Sequence, residues 1–447
     1  MGHAETKVQD VLHAKPVSMD AYWMPFTPNR DFKHDPKMVV RAEGMYLWNE
    51  RGERLIDASS GLFCVNAGHC RKEIADAVSA QLRELDFIAP FTRGHPKQFE
   101  LASRIAEMTP GDLNRIFFTN SGSEAVDTAM KVALAYWQAK GQGGRTMFVS
   151  RDRAYHGVNL GGVSLSGIAN NRRRFGPTLP GIAHMRHTHI KENFFQPGEG
   201  SVGVELAEDL VRFINLYGAE NIAACFVEPI AGSTGCLVPP KGYLKRLREI
   251  CDAHSILLVF DEVITGFGRT GQNFAAQSFG VTPDLMTMAK GITNGAQPMG
   301  AVAISQRIYD TIFSAAAEGA IEFFHGYTYS GHPAACAAGL ATLDIYAREG
   351  LFERGRALSP YFLDGLFSLR DVPVVADVRG YGMFGAIEVQ AEGTPGKRGH
   401  AFQKKLFDNG LHLKATGDSA IVAPPLVAER AHVDEIVDIL RRTLKAI

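Results

Sequence analysis

The chain has 447 residues, of which 45% are hydrophobic and 21% are charged, as is usual for globular proteins. Its 47 lysines and arginines nearly balance its 48 aspartates and glutamates, so the formal net charge at pH 7 is −1. These values exclude a disordered chain, which needs low hydrophobicity and high net charge, and they leave no basic excess for binding nucleic acid.

The first element that the sequence predicts is a β-hairpin formed by residues 45–48 (MYLW) and 54–57 (RLID). A polar turn that contains a glycine, residues 49–53, joins the two segments. We expect this hairpin to pack with a small domain formed by the C-terminal part of the chain.

The middle of the chain predicts a parallel sheet. Several short β-branched or aromatic segments are almost continuously apolar, as strands buried on both faces are. Helical patterns, for example residues 123–140 and 242–254, separate several of them. This alternation favours right-handed βαβ units, that is, an α/β fold with a mostly parallel sheet and helices on both faces. The predicted strands are residues 115–119, 146–150, 224–228, 256–263 and 300–305.

The C-terminal part has a different pattern. A long helix begins near Pro333, short alternating segments follow at residues 374–378 and 385–389, and a last helix covers residues 432–444. This order indicates a smaller α+β domain to which both ends of the chain contribute. The predicted parts are an N-terminal segment that packs with the small domain (1–58), a large domain (59–332) and a C-terminal small domain (333–447).

The sequence also predicts a cytoplasmic protein without membrane association. Its first residues contain no apolar segment of the kind that a secretory signal requires. No stretch approaches the ~18 consecutive apolar residues of a membrane-spanning helix. The six cysteines include no C-x-x-C pair and mostly lie among apolar or small residues, which is typical of free thiols buried in a reducing compartment.

Ligands of open parallel sheets bind beyond the carboxyl ends of the strands, so the residues that follow each strand are candidates for a site. Residues 120–125 (NSGSEA) lead from a predicted strand directly into a helix. Free N–H groups and the positive end of the helix dipole can bind a phosphate there. The same residue types are equally typical of an ordinary helix N-cap.

Four further residues follow predicted strands or apolar segments. Tyr155 could stack on a planar ring or simply cover the edge of the sheet. Glu228 and Asp261 end two apolar strands, where a carboxylate is costly to bury without a partner. Lys290 follows an apolar segment, and a desolvated lysine is a nucleophile toward carbonyls, although a single lysine is usually solvated. A phosphate seat, a stacking aromatic, a buried acid and an isolated lysine are together what pyridoxal 5′-phosphate (PLP) requires.

Two other patterns suggest different ligands. Residues 266–271 (GFGRTG) match the G-x-G-x-x-G of dinucleotide-binding folds and leave a NAD-dependent oxidoreductase as an alternative, but their spacing from the strand and from the next acid, Asp284, fits poorly. His184, His187 and His189 form an H-x-x-H-x-H cluster. Because the segment is loop-like and contains the cation Arg186, we predict no metal site.

At this point the sequence resembles the class III aminotransferases of the fold-type-I PLP superfamily, over nearly its whole length. The motifs that carry the resemblance are residues 120–125 (NSGSEA), 155–157 (YHG), 227–230 (VEPI), 258–271 (LVFDEVITGFGRTG) and 284–295 (DLMTMAKGITNG). Within the class, the chain is similar to the ω-amino acid:pyruvate branch, which includes β-alanine– and amine–pyruvate transaminases. The segments that carry this closer similarity are residues 22–26 (YWMPF), 59–68 (SSGLFCVNAG) and 324–333 (FHGYTYSGHP).

The resemblance implies an aminotransferase that moves an amino group from an ω-amino acid or primary amine to an α-keto acid, with pyruvate as the expected acceptor, by a ping-pong mechanism. It implies that Lys290 forms the Schiff base with PLP and shuttles a proton, and that Asp261 pairs with the pyridine nitrogen. Thr328 would reach the phosphate of the neighbouring subunit, so a homodimer or a dimer of dimers is expected. The other implied cofactor contacts are Ser121, Gly122, Ser123, Tyr155, His156, Glu228 and Val263.

The resemblance also implies a substrate pocket lined by Trp23, Phe63 and Phe91, each of which could equally be an ordinary packing residue. The branch carries an arginine in a C-terminal loop that binds the substrate carboxylate, and Lys414 stands at that position here. Lysine keeps the charge but loses the planar two-point fork. The alternatives within the class are a taurine–pyruvate enzyme and a 2-oxoglutarate-dependent ω-transaminase.

Overall fold

The structure is a computed structural model that describes residues 18–176 and 178–447. Residues 1–17 of the predicted N-terminal segment therefore lie outside the described residues. Among the residues that the structure does describe, no helix has the length and apolar character needed to cross a membrane.

A seven-stranded sheet forms the centre of the molecule, in the order β4-β10-β9-β8-β7-β5-β6. Its strands are β4 (Arg115–Thr119), β5 (Met147–Arg151), β6 (Ile182–Met185), β7 (Ile222–Val227), β8 (Leu257–Asp261), β9 (Leu285–Ala289) and β10 (Gly300–Ile304). Neighbouring strands from β6 to β9 are parallel, whereas β10 is antiparallel to both of its neighbours. The predicted α/β fold with a mostly parallel sheet is confirmed.

Helices cover both faces of this sheet because each central strand is apolar on both sides. Along β8, Val259 joins one hydrophobic cluster with the helix Gly122–Ala139, while Leu258 and Phe260 join a second cluster with the helix Tyr243–Ala253. The helices are α1 (Asn29–His34), α2 (Ser60–Phe63), α3 (Lys72–Glu84), α4 (Pro96–Met108), α5 (Gly122–Ala139), α6 (Leu160–Leu165), α7 (Ala169–Arg172), α8 (Asp209–Tyr217), α9 (Tyr243–Ala253), α10 (Ala275–Ser278), α11 (Gln306–Ala315), α12 (Pro333–Arg348), α13 (Leu351–Phe367), α14 (Lys397–Asp408) and α15 (Arg430–Leu444).

Two smaller sheets lie outside the central one, in the orders β1-β2-β3-β13 and β11-β12-β15-β14. Their strands are β1 (Val39–Glu43), β2 (Tyr46–Asn49), β3 (Arg54–Asp57), β11 (Val375–Gly380), β12 (Gly385–Val389), β13 (Leu411–His412), β14 (Lys414–Thr416) and β15 (Ser419–Val422). The strand β13 pairs in parallel with β3, so that Leu411 lies opposite Ile56. Both ends of the chain therefore contribute to one sheet, while the domain boundaries themselves stay a prediction.

The cysteines are free. Four of them are buried, as predicted: Cys225, Cys236, Cys251 and Cys336. Cys70 is exposed, because it lies in the connection before α3.

Candidate active site

The carboxyl ends of the parallel strands bring five of the predicted site residues to one edge of the central sheet. Lys290 directly follows β9, and Asp261 is the last residue of β8. In the parallel pair β8–β9, Asp261 lies opposite Thr287, so the acid and the lysine are at neighbouring strand ends. The other residues at this edge follow β5 and β7: Tyr155, His156 and Glu228.

The carboxylate of Asp261 is buried and held from two sides. His156 Nδ1 lies 2.8 Å from its Oδ2, and the backbone N–H of Val263 donates to its Oδ1 at 3.2 Å. His156 is also buried, and its Nε2 has no hydrogen-bond partner among the described residues. The acid is thus fixed in orientation by the protein, and its nearest polar partner is a histidine instead of a lysine or arginine.

Glu228 holds the loop that carries Tyr155. Its Oε1 accepts the backbone N–H of Tyr155 at 2.9 Å, and its Oε2 accepts the N–H of Gly232 at 2.9 Å. Burial raises the pKa of Glu228, and the nearby Asp261 charge raises it further, while His156 opposes both effects. Both oxygens are engaged by backbone, so Glu228 orders this edge of the site.

Lys290 combines a strained backbone with a desolvated amine. Its φ is +53°, the left-handed region that non-glycine residues seldom occupy and that is often found at functional sites. Burial lowers the pKa of its ammonium, against the opposing influence of Cys64, Asp261 and Glu228. Its Nζ lies 5.6 Å from the centre of the Phe63 ring. A lysine in this setting is an available nucleophile.

The start of α5 is both capped and open. Ser121 Oγ accepts the N–H of Glu124 at 3.2 Å, as an ordinary N-cap does. The N–H groups of the first turn have no acceptor within a helix. Gly157, with φ +100°, approaches this turn so closely that a Cβ on it would lie 2.5 Å from Ser123 Oγ.

Val263 flanks the same helix start, because a Cβ on Gly122 would lie 2.9 Å from its Cγ2. Both glycines therefore allow close packing around the first turn of α5. Because the start of a helix binds phosphates through its backbone N–H groups, the residues present fit the PLP that the resemblance implies.

Of the predicted pocket aromatics, Phe63 lies beside Lys290. It is 3% exposed and packs edge-on against Phe384 at 5.9 Å. Trp23 and Phe91 are instead 87% and 55% exposed on the single chain. Phe91 lies against Gly326, in the loop that carries the exposed Thr328.

Lys414 begins β14, next to the turn that holds Phe63. Its backbone N–H donates to Ser59 Oγ at 2.9 Å, and it lies opposite Ile421, which belongs to the same hydrophobic cluster as Phe63. Burial lowers the pKa of Lys414.

The glycines of residues 266–271 do not form a dinucleotide site. They lie in turns that follow β8 and open no helix. A Cβ on Gly268 would overlap Phe352, so the string serves close packing. Its Arg269 is fully buried and donates to the carbonyls of Met383 and Pro424 and to Ser60 and Asn66. Sequence reasoning did not identify this arginine, because its acceptors come from distant parts of the chain.

The histidine cluster is divided by the fold. His184 lies in β6, whereas His189 lies 3.4 Å from Glu388. His189, Glu388 and Asp377 are close enough to one another to hold a metal ion. Arg379 Nη1 already binds both carboxylates, at 2.7 and 2.8 Å. A guanidinium thus supplies the positive charge that the acids need.

Comparison with known proteins agrees with this geometry. The family model described as aminotransferase class-III matches residues 29–444. An omega-aminotransferase of Caulobacter vibrioides is 52% identical over 428 residues, which cover 95% of this chain and 97% of the relative. A beta-alanine–pyruvate aminotransferase of Pseudomonas aeruginosa is 49% identical over 441 residues, with 97% and 98% covered.

Solved structures give the same result. A thermostable (S)-enantioselective omega-transaminase from Thermomicrobium roseum has a TM-score of 0.89 and 37% identity, and covers 98% of this chain and 97% of its own. The omega transaminase from Pseudomonas jessenii in complex with PMP has a TM-score of 0.89 and 33% identity, with 95% and 96% covered. The chain belongs to the class III aminotransferase family. The predicted family and enzyme class are confirmed, and the NAD-dependent alternative is not supported.

Proposed function

We propose that this chain is a PLP-dependent transaminase that moves an amino group from an ω-amino acid or a primary amine to pyruvate. The observation that carries the proposal is the pair of Asp261 and Lys290 at the ends of two adjacent parallel strands, one acid held by a histidine and one desolvated amine. The names of the relatives support the substrate class, since two of them are beta-alanine– and omega-amino acid–pyruvate aminotransferases at 49% and 47% identity.

When bound, PLP supplies an aldehyde that reacts with amines and a pyridine ring that accepts the electron pair released at the carbon bearing the amino group. Lys290 Nζ is proposed to hold the aldehyde in the resting enzyme. With a donor bound, it would take the proton from the carbon that bears the amino group and deliver it to the former aldehyde carbon of the cofactor. Desolvation favours this role, because it lowers the pKa of Lys290 and so favours the neutral amine, which can accept a proton. The Asp261 carboxylate is proposed to keep a proton on the ring nitrogen, with His156 holding it in orientation.

The remaining cofactor contacts follow from the edge of the sheet. The first turn of α5, with Gly122 and Ser123, is proposed to bind the phosphate through its free N–H groups. Tyr155 and Val263 are proposed to lie on the two faces of the ring. Glu228 supports this arrangement, because it holds the N–H of Tyr155.

The substrate is proposed to lie between Lys290 and the turn that carries Phe63, with Lys414 as the cation for the carboxylate of pyruvate. Support comes from the burial of Lys414, which places a positive charge in a partly desolvated position. Since the Phe63 ring lies beside Lys290 and packs against Phe384, an apolar amine donor fits this side of the site.

A homodimer, alone or paired into a dimer of dimers, is proposed as the active unit in the cytoplasm. Thr328 is exposed on the single chain and is accompanied by exposed aromatic side chains. Phe324, four residues before it, is 90% exposed. Such a group of apolar side chains beside a proposed phosphate ligand fits burial by a second copy of the chain, which would complete each site.

The test is the visible spectrum of the purified protein incubated with PLP. We expect an absorbance band near ~410–420 nm, which an amine donor bleaches and pyruvate restores. The Lys290→Ala variant should lose turnover even when it still binds the cofactor. A colourless protein that takes up no PLP would refute the proposal.

A panel of amino acceptors and donors then separates the members of the class. We expect activity with pyruvate and with β-alanine or a primary amine. Faster turnover with 2-oxoglutarate, or with taurine as the preferred donor, would assign the chain to one of the two alternative branches.

A further inference from the structure

The loop that carries Thr328 is tied to α5 by hydrogen bonds that the proposed chemistry does not use. Tyr327 donates its hydroxyl proton to the backbone carbonyl of Glu124 at 3.3 Å. The Tyr327 oxygen also lies 3.3 Å from Thr128 Oγ1, which is fully buried in the same helix. The residue next to Thr328 is therefore anchored on the first turns of the helix whose start is proposed to hold the phosphate.

A histidine continues this chain of contacts. Thr128 Oγ1 lies 3.0 Å from His325 Nε2, and Lys131 Nζ lies 3.3 Å from His325 Nδ1. The His325 ring is stacked on Phe117, with ring centres 5.5 Å apart and planes 9° from parallel. Burial and the Lys131 charge lower the pKa of His325 and so favour its neutral ring.

Only one arrangement of protons satisfies every member of this series of hydrogen bonds. An ammonium has donors only, so His325 Nδ1 accepts from Lys131 and the ring proton is on Nε2. His325 Nε2 then donates to Thr128 Oγ1, and the Thr128 hydroxyl donates to the Tyr327 oxygen. The Tyr327 hydroxyl donates to the Glu124 carbonyl. We call these four side chains, Lys131, His325, Thr128 and Tyr327, the hydroxyl relay.

The turn beyond Tyr327 is closed by its own bonds. The N–H of Tyr327 donates to Ser330 Oγ at 3.2 Å, and the N–H of Ser330 donates to the Tyr327 carbonyl at 3.0 Å. On the far side, His95 Nε2 lies 2.7 Å from the carbonyl oxygen of Gly331. Thr328 thus stands at the tip of a short turn that is fixed on both sides.

We propose that the hydroxyl relay is a positioning device for the cofactor phosphate: it fixes Thr328 relative to the start of α5 and thereby sets the affinity for PLP. This inference rests on the proposed function, because it takes the phosphate of PLP as the ligand of both Thr328 and the helix start. In a dimer, the helix start serves the site of its own subunit and Thr328 serves that of its partner. The relay therefore also links the two sites.

The test compares Thr128→Val with Thr128→Ser. Valine has the shape of threonine but lacks the hydroxyl, whereas serine keeps it. We expect Thr128→Val to raise the PLP dissociation constant of the apo protein roughly five- to tenfold, as the loss of one or two hydrogen bonds would. Thr128→Ser should stay within about twofold of the wild type. The measurement is a PLP titration followed by absorbance, with kcat at saturating PLP expected to change little in both variants.

A second pair guards against misfolding of the first. Tyr327→Phe should weaken PLP binding as Thr128→Val does. The double variant should bind PLP no more weakly than the single variant with the lower affinity, because both substitutions break the same series of hydrogen bonds. The matched control is Tyr361→Phe, which removes a hydroxyl bonded to Asp434 on the C-terminal helices. It should leave PLP binding unchanged.

Unchanged PLP affinity in Thr128→Val and Tyr327→Phe would overturn the relay, while their transaminase activity would keep the proposed function standing. A fall in the unfolding free energy of the apo variants with no change in PLP affinity would also overturn it, because the relay would then act on stability alone. A wild-type protein that binds no PLP would overturn both proposals.

Discussion

Arg269 makes a quantitative test of how the site is supported. The substitution Arg269→Met keeps an apolar stem of similar length and removes the guanidinium. That guanidinium donates to four acceptors in the buried interior, at distances of 3.1, 2.6, 3.0 and 2.6 Å. The acceptors are the carbonyls of Met383 and Pro424, Ser60 Oγ and Asn66 Oδ1.

The expected loss of stability follows from these bonds. A buried acceptor left without a donor costs about 1–3 kcal/mol. Relief of the buried charge offsets part of this, since no carboxylate binds Arg269 among the described residues and burial lowers its pKa to about 10. We expect a net loss of about 2–4 kcal/mol in the free energy of unfolding, a large share of the ~5–15 kcal/mol of a typical protein.

Urea unfolding of the apo protein, followed by fluorescence and by circular dichroism, measures this loss. Arg246→Met is the matched control, because Arg246 pairs with Glu208 at an exposed position and should contribute about 1 kcal/mol or less. Since Ser60 and Asn66 flank the turn of Phe63, Arg269→Met should also raise the KM for the amine donor. A variant within about 1 kcal/mol of the wild type would refute the reasoning.

Three further predictions concern the site. Lys414→Arg should lower the KM for pyruvate about fivefold and leave the KM of an amine without a carboxylate unchanged, because arginine binds a carboxylate at two points and keeps its charge when buried. An equal or higher KM for pyruvate would show that Lys414 does not bind the carboxylate. Gly157→Ala should weaken PLP binding about tenfold or more, since the new Cβ would lie 2.5 Å from Ser123 Oγ. Gly141→Ala controls for backbone strain alone, because Gly141 has φ +69° and a Cβ there would meet nothing within 4 Å. Lys290→Met should stabilise the apo protein at pH 7 in urea titrations, because burial penalises the charged form of Lys290 in the folded state and so lowers its pKa. This gain in the free energy of unfolding should shrink as the pH rises toward 10.5, the ordinary pKa of lysine, and a gain that grows with pH would contradict the prediction.

The sequence predicted the elements whose physics is local. The strands β7, β8 and β10 are continuously apolar and rich in β-branched or aromatic residues, so their existence and their burial could be inferred. The strand β9 was not among the predicted strands, because its sequence LMTMA contains methionine and alanine, which also suit helices. Nevertheless, Lys290 was identified, since it follows an apolar segment at the edge where ligands of such sheets bind.

Other parts of the site depend on contacts that no local pattern contains. The hydrogen bonds from Arg379 to the Gly235 carbonyl and from Arg269 to the Pro424 carbonyl join residues that are far apart in the sequence. His189 lies beside Asp377 of β11 and Glu388 of β12, both of which are distant from it along the chain. Trp23 and Phe91 are exposed on the single chain, so their predicted roles in the substrate pocket stay predictions.

The parallel pairing of β13 with β3 has a consequence for synthesis. Ser59 and Lys414, which are bonded beside this pair, are 355 positions apart, so the ribosome needs roughly 20–70 s to add the second after the first at about 5–20 residues per second. During that interval the edge of β3 has no partner strand, and such an edge is prone to pair with other chains. Newly made chains should therefore depend on protection by chaperones until β13 has emerged, and expression at low temperature with a chaperone that shields nascent chains should increase the yield of folded enzyme.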